Sequence, residues 1–401
     1  MKNIIFCADG TWNGPQDKTN ASVFDDIDNN GELAENKITN VVKLFSNLEG
    51  GVTTETRMLH NEQEKVFYDK NGKLLQVSKY IHGVGDSTNP LIKYLGGGLG
   101  MGIIKRIIRG YTFISRYYEP GDQIYIIGFS RGAYTARALA AMIAKVGLLN
   151  RKTYNPNNKL DAYRLGLAAW SKSKSVALHD VGLLSDIASG VINFVQGFFA
   201  KTLPDNGLIP DVPIKGVAVW DTVGALGIPQ YAGDSRYDLF KFVDTKLSDK
   251  IEFGFHGMAI DEFRGDFAVT RWDTRHNIDQ VWFVGAHSDV GGGYSNDECH
   301  LSDQALGWMM KKLSNIGVTF IAPLIHQFSC QPNLSQPIHR PWEKFPFSSL
   351  PSAARLVEAN DVLHSSVLWR WGNDLAYRPE AMKGFASIGL GQFKVDETIY
   401  P

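Results

Sequence analysis

The 401-residue chain is poor in cysteine. It has three, Cys7, Cys299 and Cys330, far apart and never in a CxxC pair. That spacing excludes a disulfide framework and a cysteine-based zinc site. No charge sign dominates: Lys plus Arg is 41 against 42 for Asp plus Glu, a net charge of −1. Such a chain has no overall field for a polyanion, so nucleic acid is not an expected partner. Long hydrophobic runs are also missing. The longest uncharged apolar stretch, 187–200, falls short of the ~20 residues that cross a bilayer. The opening MKNIIFCADGTWN carries one lysine and a short apolar run. That is too little for a Sec-type signal, so cytoplasmic synthesis is expected. What remains is an ordinary globular composition, 44% hydrophobic and 21% charged. Its length suits two or three ordinary domains or one large α/β domain.

Several apolar runs end in polar turns. Residues 3–8 read as a buried strand ending at Asp9-Gly10-Thr11. Residues 65–82 read as a hairpin around Asn71-Gly72, a strong tight-turn pair. Residues 123–128, 214–220 and 280–285 read as further strands. Between them lie helical patterns: one capped by Thr39 or Asn40, one opened by the glycines of 96–102, one following Ser130, one over 251–262 and one over 301–313. Apolar strands alternating with helices predict an α/β fold with a doubly wound, mostly parallel sheet and helices on both faces. From about 321 the pattern weakens, and residues 321–401 are expected to be loops and short helices packed on a main domain of residues 1–320. The glycines of 96–102 offer no Gly-x-Gly-x-x-Gly register, so a dinucleotide site is not expected.

Gly128-Phe129-Ser130-Arg131-Gly132 matches Gly-x-Ser-x-Gly. The pentapeptide alone is weak, but here a strand precedes it and a helix follows, as a nucleophile elbow requires. The turn is sharp, and its flanking glycines let strand and helix pass. The serine then stands at the carboxyl end of the sheet and at a helix N-terminus, which favours developing negative charge. Serine needs a base, and the base needs an acid to orient it. In the chain order Ser, Asp, His, the best partners are Asp221, just past strand 214–220, and His287, just past strand 280–285. Asp289, two residues beyond His287, and Asp261 on the 251–262 helix are alternate acids. His256 on that helix is the alternate base. The oxyanion hole calls for two backbone N–H groups. Arg131 is expected to give one and the Gly10–Thr11 turn the other, although Asp9-Gly10 also reads as a plain structural turn. Phe6 to Thr11 is similar to an aspartyl-phosphate motif, but Cys7 stands where the attacking carboxylate would be. The His287-Ser288-Asp289 loop and its glycines hold too few ligands for a calcium cage. No metal and no cofactor are expected.

Beyond the elbow, ordered blocks resemble the type VI secretion lipase effectors and their α/β-hydrolase relatives. They are Asp9-Gly-Thr-Trp-Asn13, Thr39-Asn-Val-Val-Lys-Leu44, Tyr118-Glu-Pro-Gly-Asp122, Trp220-Asp-Thr-Val-Gly224, His256 to Glu262, Val281 to Tyr294 and Leu301 to Trp308. Residues 51–80 and 150–213 depart from that pattern as insertions. The resemblance implies an α/β-hydrolase fold and a reacting trio at Ser130, Asp221 and His287. It also implies phospholipase activity on fatty-acyl esters of bacterial membrane lipids. Export by type VI secretion would follow, with a secretion-machinery partner and an immunity protein in the producing cell.

Residues 184–199 place Leu184, Ile187, Val191, Val195, Phe198 and Phe199 on one helical stripe. They are expected to form either a lid that meets a membrane surface or a helix buried on the main domain. Three functions stay open from the residues: a serine esterase acting on phospholipid, a non-catalytic module that binds lipid or protein, and a peptidase or thioesterase on the same trio.

Overall fold

The computed structural model describes residues 1–10, 38–57, 59, 62–83, 99–181, 201–223, 247–295, 297–325, 332–345, 347–349, 351–385 and 389–399. For 99–101 and 174–181 it describes the backbone alone. Ten strands form one sheet: β1 (Asn3–Ala8), β2 (Gly51–Val52), β3 (Glu62–Tyr68), β4 (Leu74–Ile81), β5 (Gln123–Phe129), β8 (Ile214–Trp220), β9 (Ile251–Ala259), β10 (Ile278–Phe283), β11 (Val362–His364) and β12 (Lys394–Asp396). A small separate ribbon pairs β6 (Leu148–Leu149) with β7 (Leu208–Ile209). The sheet order is β12-β11-β10-β9-β8-β5-β1-β4-β3-β2. Only the β2–β3 and β3–β4 pairs are antiparallel. Strands such as Ile4 to Ala8 and Val217 to Trp220 are apolar on both faces because both faces are covered,.

On one face lie α2 (Leu99–Tyr117), α3 (Arg131–Val146) and α4 (Lys159–Val181). Phe6, Ile126, Leu139, Ile107 and Trp170 share their core. On the other face lie α1 (Asn40–Asn47) and α6 (His300–Asn315), around Phe45, Phe129, Trp220 and Trp308. Asn40 ties α1 to both neighbours, donating to the carbonyls of Val290 and Ser302 at 2.9 Å each. The expected α/β fold, doubly wound and mostly parallel, is the one observed. Among the described residues, no helix is long and apolar enough to cross a membrane.

Two expectations change. Residues 251–259 are β9, not a helix. In a central strand apolar residues occupy both faces, and such a run imitates helical spacing. The hairpin expected over 65–82 is observed as antiparallel β3 and β4, and β4 sits directly beside β1. Residues 321–401 are not only loops and short helices. They add β11, α7 (Ser365–Asn373) and β12, and a third core joins Trp282 and Met258 to Leu363, Val367 and Met382. Strands of three residues carry too short a period to be read from sequence.

Candidate active site

The carboxyl ends of β1, β5, β8, β9 and β10 lie side by side, because their registers are parallel and in step. At the end of β5 the chain reverses through Ser130, whose φ of 57° and ψ of −123° are uncommon for any residue with a side chain,. Two glycines permit the turn. A Cβ on Gly128 would lie 2.4 Å from the Gly132 carbonyl oxygen, and one on Gly132 would lie 2.1 Å from that of Ala8. Ser130 caps α3 without a side-chain bond to it, so its Oγ is not spent on the helix.

Phe129 pairs in register with Trp220, and the Ser130 N–H donates to the Trp220 carbonyl at 3.1 Å. The next residue on β8 is Asp221. It is fully buried and also has positive φ, 36°. His287 opens the short helix α5 (His287–Gly291) after β10, and its Nδ1 meets Asp221 Oδ2 at 2.6 Å. The Ala259 N–H donates to Asp221 Oδ1 at 2.9 Å. Arg355 adds a two-pronged contact, Nη1 to Oδ1 and Nη2 to Oδ2, both 3.0 Å. Burial alone would raise the Asp221 pKa; the Arg355 guanidinium and His287 together hold it well below the usual carboxylate range,. Burial lowers the pKa of His287 against the opposing pull of Asp221, so the imidazole is neutral at neutral pH.

The rings around His287 are apolar. Phe129 lies 4.6 Å away and Phe267 stands edge-on at 5.1 Å, with Phe347 beyond it. The Arg264 guanidinium covers Phe267 at 3.5 Å and is chelated by Glu262, whose Oε2 also accepts the His287 N–H at 3.1 Å. A Cβ on Gly291 would enter the Phe129 ring, so α5 seats directly on the strand that carries Ser130.

The alternates lie elsewhere. Asp289 is bound to a different histidine, His339 Nδ1 at 2.6 Å, and accepts the Ala286 N–H. Asp261 follows β9, accepts from Gly285 N and the Tyr377 hydroxyl, and lines a cavity of about 250 Å³ with Trp342. Burial pushes its pKa up to about 6. His256 sits on β9 rather than a helix. Its Nε2 accepts the Thr222 N–H at 3.1 Å, and burial pushes its pKa down to about 3. It is a packing residue against Trp272.

Of the oxyanion candidates, Arg131 is the first residue of α3, where N–H groups point along the axis toward the turn,. A Cβ on Gly10 would lie 3.2 Å from that of Ser130, but the Gly10 N–H donates to Asp9 Oδ1 at 2.6 Å. Asp9 also accepts from the Tyr80 and Thr39 hydroxyls. The turn therefore carries the structural role that Asp9-Gly10 suggested. Thr11 lies outside the described residues, as does the 184–199 stripe. One described cluster has metal-like spacing, Cys299, His300 and Asp303. The Lys43 ammonium already serves as its cation, 2.7 Å from Asp303 Oδ1 and 3.1 Å from Cys299 Sγ.

Residues 2–312 match the catalytic domain of the type VI secretion Tle1-like phospholipase effectors. The chain belongs to that family. A curated relative is an uncharacterized protein of Saccharomyces cerevisiae, 24% identical over 82% of this chain and 59% of its own. Among solved structures, an uncharacterized protein from Pseudomonas aeruginosa is 16% identical over 82% of this chain and 49% of that one, with a TM-score of 0.39. A Tle1 effector, solved bound to the VgrG spike of the type VI secretion system, is 18% identical over 74% and 51%, with a TM-score of 0.35. The chain thus spans between about half and three-fifths of the length of these relatives. Arg355 and His339 both lie beyond the part that matches the Tle1-like family. Sequence reasoning missed them, and neither stands in a motif that would have marked it. Glu262 lay within a recognised block, but its tie to the His287 backbone is a product of the fold.

Proposed function

We propose that this member of the Tle1-like family is a serine hydrolase of carboxylic esters, acting on fatty-acyl esters of membrane phospholipids in the manner of a phospholipase A. The observation that carries the reading is the 2.6 Å contact of His287 with buried Asp221, at the sheet end where the strained Ser130 stands. Asp221 accepts from Nδ1–H of His287, which leaves Nε2 as the base. Ser130 Oγ attacks the ester carbonyl carbon while Nε2 takes its proton. The oxyanion gains from the α3 N-terminus and the Arg131 N–H. Collapse breaks the acyl–oxygen bond, and His287 returns the proton to the departing lysolipid alkoxide. Water, deprotonated by Nε2, then cleaves the acyl-enzyme and frees the fatty acid and Ser130. The half-buried rings of Phe267, edge-on to His287, and Phe347 suit an acyl chain. No step calls for a metal or cofactor. Family membership supports export by type VI secretion, with a secretion-machinery partner and a protective immunity protein in the producer.

Because His287 must be neutral to act, kcat/KM falls as pH drops through the apparent pKa of the His287–Asp221 pair. A fluorophosphonate probe should label Ser130, and Ser130→Ala should lower phospholipid hydrolysis by about 10⁴-fold or more. Lipid mass spectrometry on vesicles treated with each form reads the products. An unlabelled, folded wild type would instead favour a lipid- or protein-binding module, and a wild type active only on small esters would favour the esterase or thioesterase reading.

A further inference from the structure

The acid of the site is held from outside the family's matched region. Arg355 is 6% exposed and sets both Nη atoms on the two oxygens of Asp221. A planar guanidinium fixes the plane of a carboxylate as a single charge does not. The segment that delivers it is fastened before and after it. His339 binds Asp289 at 2.6 Å, the Gly265 N–H donates to the Pro351 carbonyl at 3.0 Å, and the Ala353 N–H donates to the Phe263 carbonyl at 2.9 Å. Beyond Arg355, Val357 enters the third core, and Asp361 accepts from the Trp282 indole at 2.9 Å. This chain therefore crosses the catalytic end of the sheet as a strap and places one buried cation on Asp221.

We propose that Arg355 is a positioning residue for ester hydrolysis. It locks the Asp221 carboxylate in the plane in which it meets His287 Nδ1, and it offsets the carboxylate's negative field so that the imidazole stays neutral into mildly acidic conditions. The inference rests on the reading of Ser130, His287 and Asp221 as the reacting group. Other charged or titratable groups facing the pair are Glu262 and Arg264 after β9, which act on His287, and His256 on β9, which faces Asp221 and has Arg137 of α3 behind it. Without Arg355, the negative charge of Asp221 acts on His287 unopposed, and the pair takes up a proton at higher pH.

The test uses the full chain, a p-nitrophenyl butyrate assay across pH, and the variants Arg355→Ala, Arg355→Lys and Ser130→Ala. Arg355→Ala should lose about 10²-fold in kcat with little change in KM, as expected for a misplaced general base. The acid limb of its kcat/KM profile should move to higher pH. Guanidinium added below denaturing concentration should restore part of the lost kcat, with no such gain for wild type. Arg355→Lys keeps the charge but not the fork, so its acid limb should stay near wild type while kcat remains low. An Arg355→Ala enzyme with wild-type kcat and acid limb overturns the role. So does one whose loss comes with an unmoved limb and no guanidinium response, the mark of a merely structural arginine. If Arg355→Ala does not fold, Arg355→Lys decides, and wild-type kcat there overturns the proposal. Full activity in Ser130→Ala would sink the underlying site reading; an inactive Ser130→Ala beside indifferent Arg355 variants would sink the positioning role alone.

Discussion

Ser130 holds a backbone conformation that glycine adopts freely and other residues avoid, at a cost on the order of 1–3 kcal/mol,. That strain lifts the hydroxyl clear of the helix it caps. Ser130→Gly should therefore be more stable than Ser130→Ala by about 1 kcal/mol, although both lack the hydroxyl. Equal denaturation midpoints for the two would show that the turn stores no strain. At Asp221 the balance is electrostatic. A fully buried carboxylate is tolerable because Arg355, His287 and the Ala259 N–H meet it,. Its pKa is depressed in the folded state, so its contribution to stability is present above the ordinary carboxylate range and is lost as pH falls through the folded value,. Arg355→Met should cost about 3–5 kcal/mol at neutral pH by leaving that charge unpaired. The deficit should shrink in acid, because the orphaned Asp221 now takes a proton more readily than in wild type. Denaturant titrations at neutral and acidic pH measure the difference. A deficit independent of pH would mean that Arg355 contributes packing rather than charge.

The elements place these residues by close approach. α3 starts hard against the end of β1, with Gly132 at the carbonyl of Ala8, and α5 seats Gly291 on Phe129. Gly132→Ala puts a methyl into backbone that has no room to give, and should destabilise the protein by about 1–3 kcal/mol or more,. Thermal melts of the variant test this, and a wild-type midpoint would show that α3 shifts without cost. The elbow was legible before any coordinates because three local signals agree there: a strand, two glycines and a helix. β9 was not, because a strand covered on both sides gives no alternation, and the apolar residues of 251–262 fall at helical spacing instead,. His256 therefore lies in a strand, its Nε2 taken by the Thr222 N–H, and Asp261 follows that strand, bound to Gly285 N and the Tyr377 hydroxyl. The lid expectation for 184–199 is testable directly. Phe198→Ser with Phe199→Ser should reduce activity on vesicles far more than on a short soluble ester, whereas equal loss on both would indicate buried packing.

At the scale of the molecule, one sheet runs from β2 to β12, and its last two strands come from a region with little sequence pattern. Ending the chain at residue 320 would expose the β10 edge, strip Leu363, Val367 and Met382 from the third core, and delete Arg355. Such a fragment should be insoluble or inactive despite retaining Ser130, Asp221 and His287. A soluble fragment with wild-type turnover on a short ester would show the C-terminal region to be dispensable. The linear order of residues determined the α/β class, the elbow at Ser130 and the strand ends that carry Asp221 and His287, because each is a local pattern of burial and turning. Tertiary structure alone decided that Asp289 pairs with His339 and that Arg355 closes on Asp221. Those partners lie as far as 134 residues apart. A long-range pair between buried charges leaves no period in the sequence, since its energy depends on where the chain brings the charges and not on the residues beside them.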